Sequence, residues 1–507
     1  MAVKLEARCG EYKSDAINLA ILVFVTSLLG VYLIATAVLI SKDGVFYIER
    51  AQKLSSEPIN IIKAHPPGYP FLIFAAHKFV SLFSKNTSLY SWIYSAHGVN
   101  LLCRVLALVP LYFIGKLLVG SRNSFWALLI LILLPYPAEY GSDALRDWPY
   151  ILFLATGFLF LLWGAEQGKW VMFGLVGLAG GLGHIVRPEC AQLVLYGILW
   201  LLIGLFLPRR NMNRPKLVYA LFILLFGFAV PTAPYLKVRG RILPRKLYQL
   251  INSSDREQTE ENQDSKVDCR DNVYTAESIP INVVKAIGEL FEGISNNLMH
   301  FFILPLLLGI HLRFRKQAVA TDAERFFIPV FIVFNIIMMV VLYSNWKYIS
   351  RRHCLPLVVF TVFYVPIGLQ ILADWLTVRF SKDRFDNNQR LRVWFFVLVI
   401  TGLAICTPKL LRPIHADKKA YKAAAQWLKE NTQKNDLIAV FDKRISFYAE
   451  RKGLVFDKNI PMGAQYAVAV MKNEDENPDA DTAVQKELSL WIDQNKKTKK
   501  IVIYRVL

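Results

Sequence analysis

Apolar residues run along this chain in long stretches separated by short polar segments. Many of these stretches approach the ~20 residues that a helix needs to cross a bilayer. They lie near 17–40, 91–118, 123–138, 147–164, 169–185, 190–207, 217–236, 296–312, 326–343, 353–374 and 393–411, and the third and fifth are short. The first is long and has no cleavage pattern, so it reads as a retained span and not a signal peptide. From 412 the pattern changes. Helical spacing is predicted for "HADKKAYKAAAQWLKENTQ" and again for "AVQKELSLWIDQ", and strands for "DLIAVFD" (436–442) and "KIVIYRV" (500–506). The expected fold is a polytopic α-helical membrane protein with about 11 transmembrane helices. Residues 1–411 form its membrane domain and 412–507 a small α/β domain.

Composition agrees with that class. Of the 507 residues, 54% are hydrophobic and only 19% charged, which is usual for a chain whose solvent is partly lipid. Charge then sets the orientation. The most basic short loops are "PRRNMNRPK" (208–216), "RFRKQ" (313–317) and "RFSKDRFDNNQRLR" (379–392). The positive-inside rule puts them, and the N-terminus, in the cytoplasm. The net charge of +20 is therefore mainly a topology signal with affinity for anionic lipid heads, and no nucleic acid partner is expected. The opposite face receives 41–90, 139–147, 184–189, 237–295, 344–353 and the C-terminal domain.

The candidate chemistry gathers on that one face. Asp43 and Tyr47 share a side of "SKDGVFYIERAQKL" if it is helical. The carboxylate is either a proton acceptor at the membrane edge or a cap for the helix that follows. His65 precedes two prolines in "HPPGYP", where it can donate to a phosphate or sit as a neutral cap. Asp143, Arg146 and Asp147 open a span in "GSDALRDWPY", and acids there also suit the helix dipole. Arg187 and Glu189 lie close to membrane depth, where ionisable groups are expensive and usually functional. Lys347, Arg351 and Arg352 crowd the mouth of a span on the face expected to be poor in cations, so an anion, most naturally a phosphate, should compensate them. The six cysteines show no zinc-ligand spacing, and no metal site is expected. Cys190, Cys269 and Cys354 could face the oxidising side, but the sequence does not pair them. "NTS" (86–88) and "NSS" (252–254) fit the glycosylation pattern.

Together, "DGVFYIERA", "HPPGYPFL", "LRDWPYILF", "IVRPE", "RRHCLPLVVF" and the tail from "AAAQWLKENTQ" resemble, in order and spacing, the GT-C glycosyltransferases. The nearest groups are the bacterial protein O-mannosyltransferase and aminoarabinose transferase relatives, and the likeness runs from about 17 to 450. The resemblance implies an inverting transferase of the inner (plasma) membrane. It would move a sugar from a polyprenyl- or dolichyl-phosphate carrier to an extracytoplasmic lipid, glycan or protein. Asp43 would be the base, with Asp147 in the catalytic set. His65, Arg146, Arg187, Lys347, Arg351 and Arg352 would contact the donor phosphate, and Tyr47, Asp143 and Glu189 would shape the site. Many relatives carry a second acid after the first, whereas Gly44 follows Asp43 here, so no cofactor or metal is expected to be required. The rival expectations are a transporter or flippase for a lipid-linked glycan, and a non-enzymatic scaffold. Against transport, the charges sit at helix ends and no paired Gly/Pro-broken helices appear.

Overall fold

The computed structural model describes residues 2–83, 88–207, 212–240, 279–315, 320–380, 387–456, 459–472, 483–492 and 499–507. The first helix, α1 (Ala2–Thr36), is followed by three shorter ones, α2 (Lys42–Lys53), α3 (Pro58–Ala64) and α4 (Gly68–Ser81). After α5 (Leu89–Val119) the chain turns at Gly120, whose φ of +84° suits only glycine, into α6 (Ser121–Leu133). Pro135 and Pro137 end α6 early and start α7 (Pro135–Tyr140), so the segment expected at 123–138 is broken at Leu134. Then come α8 (Asp147–Gln167), α9 (Val171–Val186), α10 (Gln192–Phe206) and α11 (Arg214–Arg239). Beyond the undescribed stretch lie α12 (Ile279–Asn297), α13 (Ile303–Arg315), α14 (Asp322–Trp346), α15 (Leu355–Thr361), α16 (Val365–Phe380) and α17 (Asn387–Leu410). Among the described residues, 8 helices or helix runs are long and apolar enough to span a bilayer, and α6 and α9 are shorter apolar helices.

In lipid there is little hydrophobic force between helices, so close approach of backbones holds them together. The glycine run "GLVGLAGGLG" serves that purpose. A Cβ on Gly177 would lie 2.1 Å from the Leu224 carbonyl oxygen, and one on Gly227 2.4 Å from that of Gly174, so α9 and α11 meet backbone to backbone.

The C-terminal unit is a five-stranded sheet with order β2-β1-β3-β5-β4. Its strands are β1 (Leu437–Val440), β2 (Lys452–Val455), β3 (Tyr466–Met471), β4 (Val484–Trp491) and β5 (Lys500–Val506), with α18 (Lys419–Asn431) and α19 (Lys443–Ala449) packed on it. β1 runs parallel to β2 and β3, and β5 antiparallel to β3 and β4. The expected helix in "AVQKELSLWIDQ" is β4, an edge strand. Val484, Leu488 and Trp491 do follow helical spacing, but pairing with β5 across a bulge at Lys486/Leu488 outweighs it. Cys190 and Cys354 are buried free thiols, which removes a bridge between them, while Cys269 lies outside the described residues. Asn86 and Asn252 of the two glycosylation patterns lie outside them too.

Glycine should divide sharply by place in this bundle. Gly98→Ala in α5 meets nothing within 4 Å, and helix propensity alone should stabilise it by ~0.5–1 kcal/mol. Gly177→Ala must push α9 off α11 and should lower the unfolding temperature in detergent. Equal shifts in the two variants would contradict the backbone contact.

Candidate active site

The site begins with backbone that has left its helix. Residues 134–147 run outside the long helices at the mouth of the bundle, where carbonyls need donors. One face of α5 supplies them. His97 Nδ1 lies 2.7 Å from the Ser142 oxygen. The Asn100 amide donates to the oxygens of Tyr140 and Asp143 at 2.6 Å each. The fully buried Arg104 donates to Ile132 at 2.9 Å and to Ala138 at 3.5 Å, with its guanidinium over the Trp148 ring. Residues 97, 100 and 104 recur at helical spacing, so the three act as one polar ladder. They lie inside a span, where three polar residues in a long apolar run form no motif of their own.

Held this way, the loop presents its acids in different directions. Asp143 is buried, and both its oxygens are occupied. Oδ1 accepts the backbone N–H groups of Ser41 (3.0 Å) and Ala144 (2.7 Å), and Oδ2 meets His415 Nε2 at 3.1 Å. Burial alone would raise this carboxyl, but the His415 contact and charge outweigh it and the pKa is lowered. Burial likewise disfavours the charged form of the His415 imidazole, yet Asp143 and then Glu139 raise its pKa. Asp143 is thus a tie between the α1–α2 joint, the second loop and the C-terminal domain.

That joint is tied further. Val38 N–H donates to the Ile414 oxygen at 3.0 Å, Ile40 N–H to the Tyr448 hydroxyl at 3.1 Å, and Lys443 pairs with Glu49 at 2.5 Å. α2 therefore leaves the membrane at a fixed place. Ser41 is its cap, accepting the Gly44 N–H at 3.2 Å. The capping role that Asp43 might have filled is taken, and its side chain, 43% exposed, accepts from Arg352 at 2.7 Å.

Arg352 comes from a 3-10 turn, Arg351–Cys354, capped by Ser350 with His353 in a reciprocal box. Neighbours in such a turn diverge by about 120°. Arg352 accordingly reaches Asp43, whereas Arg351 lies 4.4 Å over the Tyr136 ring and donates to its hydroxyl. Lys409, near the end of α17, converges on the same phenol. Glu139 lies near these cations, and its pKa is raised because burial outweighs the lowering by His415, Arg351 and Lys409. Tyr136, Glu139, Lys409 and His415 carried no motif, and only the fold brings them together.

Asp147 forms the second acid of the site. Arg187 Nη1 donates to it at 2.7 Å and Arg187 Nε to Glu189 at 3.1 Å, while the guanidinium lies 5.1 Å from the Tyr150 ring centroid. Tyr47 sits on the α2 face toward them, with Arg146 5.9 Å over its ring and Tyr69 edge-on at 5.1 Å. Its phenol pKa is raised, first by burial. His65 ends α3 in an extended conformation. Three residues later a Cβ on Gly68 would lie 2.9 Å from the Ile185 oxygen, so "HPPGYP" abuts the turn that bears Arg187. Lys347 ends α14 in the left-handed region, φ 50°. Among the described residues no group of three or more His, Cys, Asp or Glu could hold a metal ion.

Sequence and fold both resemble those of known proteins. Residues 64–233 match the family of dolichyl-phosphate-mannose-protein mannosyltransferases. The oligosaccharyltransferase AglB of Archaeoglobus fulgidus, in complex with an inhibitory peptide and a dolichol-phosphate, superposes with a TM-score of 0.56 at 12% identity, covering 90% of this chain and 69% of that one. ArnT of Cupriavidus metallidurans, bound to undecaprenyl phosphate, superposes with a TM-score of 0.56 at 11% identity, covering 96% of this chain and 97% of that one. The chain shares the fold of these two transferases, and residues 64–233 carry the match to the mannosyltransferase family. The eight long apolar helices and helix runs among the described residues make it a multi-pass membrane protein, and at these identities the two structures speak for the fold alone. No curated protein matches the sequence.

Two measurements test this architecture. Arg104→Met leaves the Ile132 and Ala138 carbonyls without their donor, at ~1–3 kcal/mol each. A thermal midpoint equal to wild type would refute the ladder. For the clamp, the signs are fixed by the two shifts. His415, raised from 6.5, contributes fully below about 6.5 and loses its contribution as pH rises through its folded value. Asp143, lowered from 3.8, contributes above about 3.8 and fails as pH falls. The stability lost in His415→Gln should therefore be largest between about pH 4 and 6.5 and shrink at alkaline pH. A pH-independent loss would rule the charged pair out.

Proposed function

We propose that this protein is a glycosyltransferase that takes a sugar from a polyprenyl-phosphate carrier, inverts its anomeric configuration, and delivers it to an acceptor on the extracytoplasmic face of the plasma membrane. The observation that carries this reading is Asp43. A half-exposed carboxylate sits on the first turn of a clamped helix, 2.7 Å from an arginine and next to a second acid–arginine chain. Asp43 accepts the acceptor hydroxyl proton as that oxygen attacks the anomeric carbon. The bond from that carbon to the carrier phosphate breaks, and the phosphate leaves with the electron pair. Arg352 and Arg187 lie where they can offset its charge, with Lys347, Arg351 and His65 at the rim.

Asp147 orients Arg187, and Glu189 holds the other edge of the same guanidinium. Arg146 and Tyr47 form the wall beside Asp43. Residues 1–411 would carry the chemistry, with the N-terminus cytoplasmic and 412–507 outside. The basic loops and the gathering of ionisable groups at one end support that orientation. The carrier chain would lie along the lipid-facing helices, and the acceptor (lipid, glycan or protein) would enter from the side of the C-terminal domain.

The test is donor hydrolysis and transfer by purified protein given a panel of radiolabelled polyprenyl-phosphate sugars. Asp43→Asn should lower turnover ~10²–10⁴-fold while the protein stays folded. Equal turnover by the variant would reduce Asp43 to a partner of Arg352 and end this mechanism.

A further inference from the structure

A cavity of about 520 Å³ lies between the membrane bundle and the C-terminal domain, outside the site described above. Its walls come from the last turns of α2, the first turn of α5, α19 and the start of β2. The volume lies within the range of small-molecule sites. Its chemistry is specific. Trp92 forms an aromatic wall, and its ring is stacked on His77 at 3.6 Å and 6°, which holds it rigid. His77 is 5% exposed, and neither ring nitrogen has a partner, so it serves here as a flat backing. Phe447 adds a second aromatic surface.

Most of the charge around the cavity is already engaged. Lys443 is paired with Glu49, and Glu450 with Lys429. Arg451 donates to the Lys429 and Thr432 carbonyls and to the Thr432 hydroxyl. Two lining ammonium groups are left, Lys53 and Lys452, both exposed and with no carboxylate pairing with either among the described residues. An aromatic platform with two uncommitted cations calls for a ligand with an apolar ring face and negative charge. A saccharide bearing carboxylates presents both, the C–H face of its ring to Trp92 and its acid groups to the lysines.

The cavity is also tied to the chemistry. Asp43 stands in the first turn of α2 and Lys53 at its end, so the two are ~15 Å apart along one rigid helix. A chain of sugars could lie along that helix with its terminal hydroxyl at Asp43. The geometry points to an acceptor subsite for an acidic oligosaccharide. This deepens the transferase reading and rests on it for the reacting end.

The test is binding of tetragalacturonate, against neutral maltotetraose, to the full chain in phosphatidylcholine nanodiscs, followed by calorimetry. The acidic sugar should bind and the neutral one at least tenfold more weakly. Lys53→Glu with Lys452→Glu should cost at least tenfold, Trp92→Ala a similar factor, and added salt should weaken binding. Both lysines are exposed, so the double variant should keep the wild-type melting temperature. No binding, equal binding of the two sugars, or unchanged affinity in the double variant would overturn the subsite. Loss of binding when the nanodiscs are made of phosphatidylglycerol would give the lysines to anionic lipid heads and overturn it as well. Donor hydrolysis by the wild type is read separately. Its absence would count against the transferase reading without touching the binding result.

Discussion

The constraint on which this structure depends is that backbone leaving a helix near lipid must find its partners inside the protein. At 134–147 the long helices give way to the short α7 and a turn, and α5 serves the carbonyls there with His97, Asn100 and Arg104. Everything else follows from where those carbonyls are fixed. Asp143 is set by the Asn100 bond to its own carbonyl, and through Ser41 it sets the start of α2. Through α2 it sets Asp43.

The charges obey the same logic in a second way. Isolated ions at membrane depth are costly, so they persist where each meets an opposite charge and a hydrogen bond. Arg187 stands between Asp147 and Glu189, and Arg352 beside Asp43. Such pairing leaves the arginines with donors to spare, since a guanidinium carries five N–H groups. A phosphate entering here would meet fixed donors and would not need to gather mobile ones. Preorganisation of that kind costs no rearrangement at the moment of reaction.

How much of this could be read from sequence divides along physical lines. The apolar runs were legible, because lipid demands length and hydrophobicity from each helix separately. The acids and arginines at helix ends were legible for a related reason, since an ionisable group there stands out against an apolar background. His97, Asn100 and Arg104 were not, because three polar residues spread through a long apolar run cannot be told from chance until the loop they serve is in place. Tyr136, Glu139, Lys409 and His415 belong to separate segments and meet only through packing. β4 failed for a different reason. An edge strand is half-solvated, its periodicity is weak, and its identity lies in the partner β5 and not in its own pattern. The double proline, by contrast, was visible, but its use was not. It lays the start of α4 against the turn bearing Arg187, a contact that depends on Gly68 having no side chain.

The C-terminal domain is better understood as part of the candidate site's frame than as an appendage. α2 is 12 residues long and amphipathic, too short to be stable by itself in water. Its joint is held from below by α1 and the Asp143 loop and from above by Tyr448, Arg444 and Lys443. Arg444 is locked by a two-pronged bond to Asp442, so the clamp is itself rigid. The Asp43 carboxylate is open to solvent, which denies it the usual route to rigidity, burial. Clamping the helix on both sides of that carboxylate supplies the rigidity by other means.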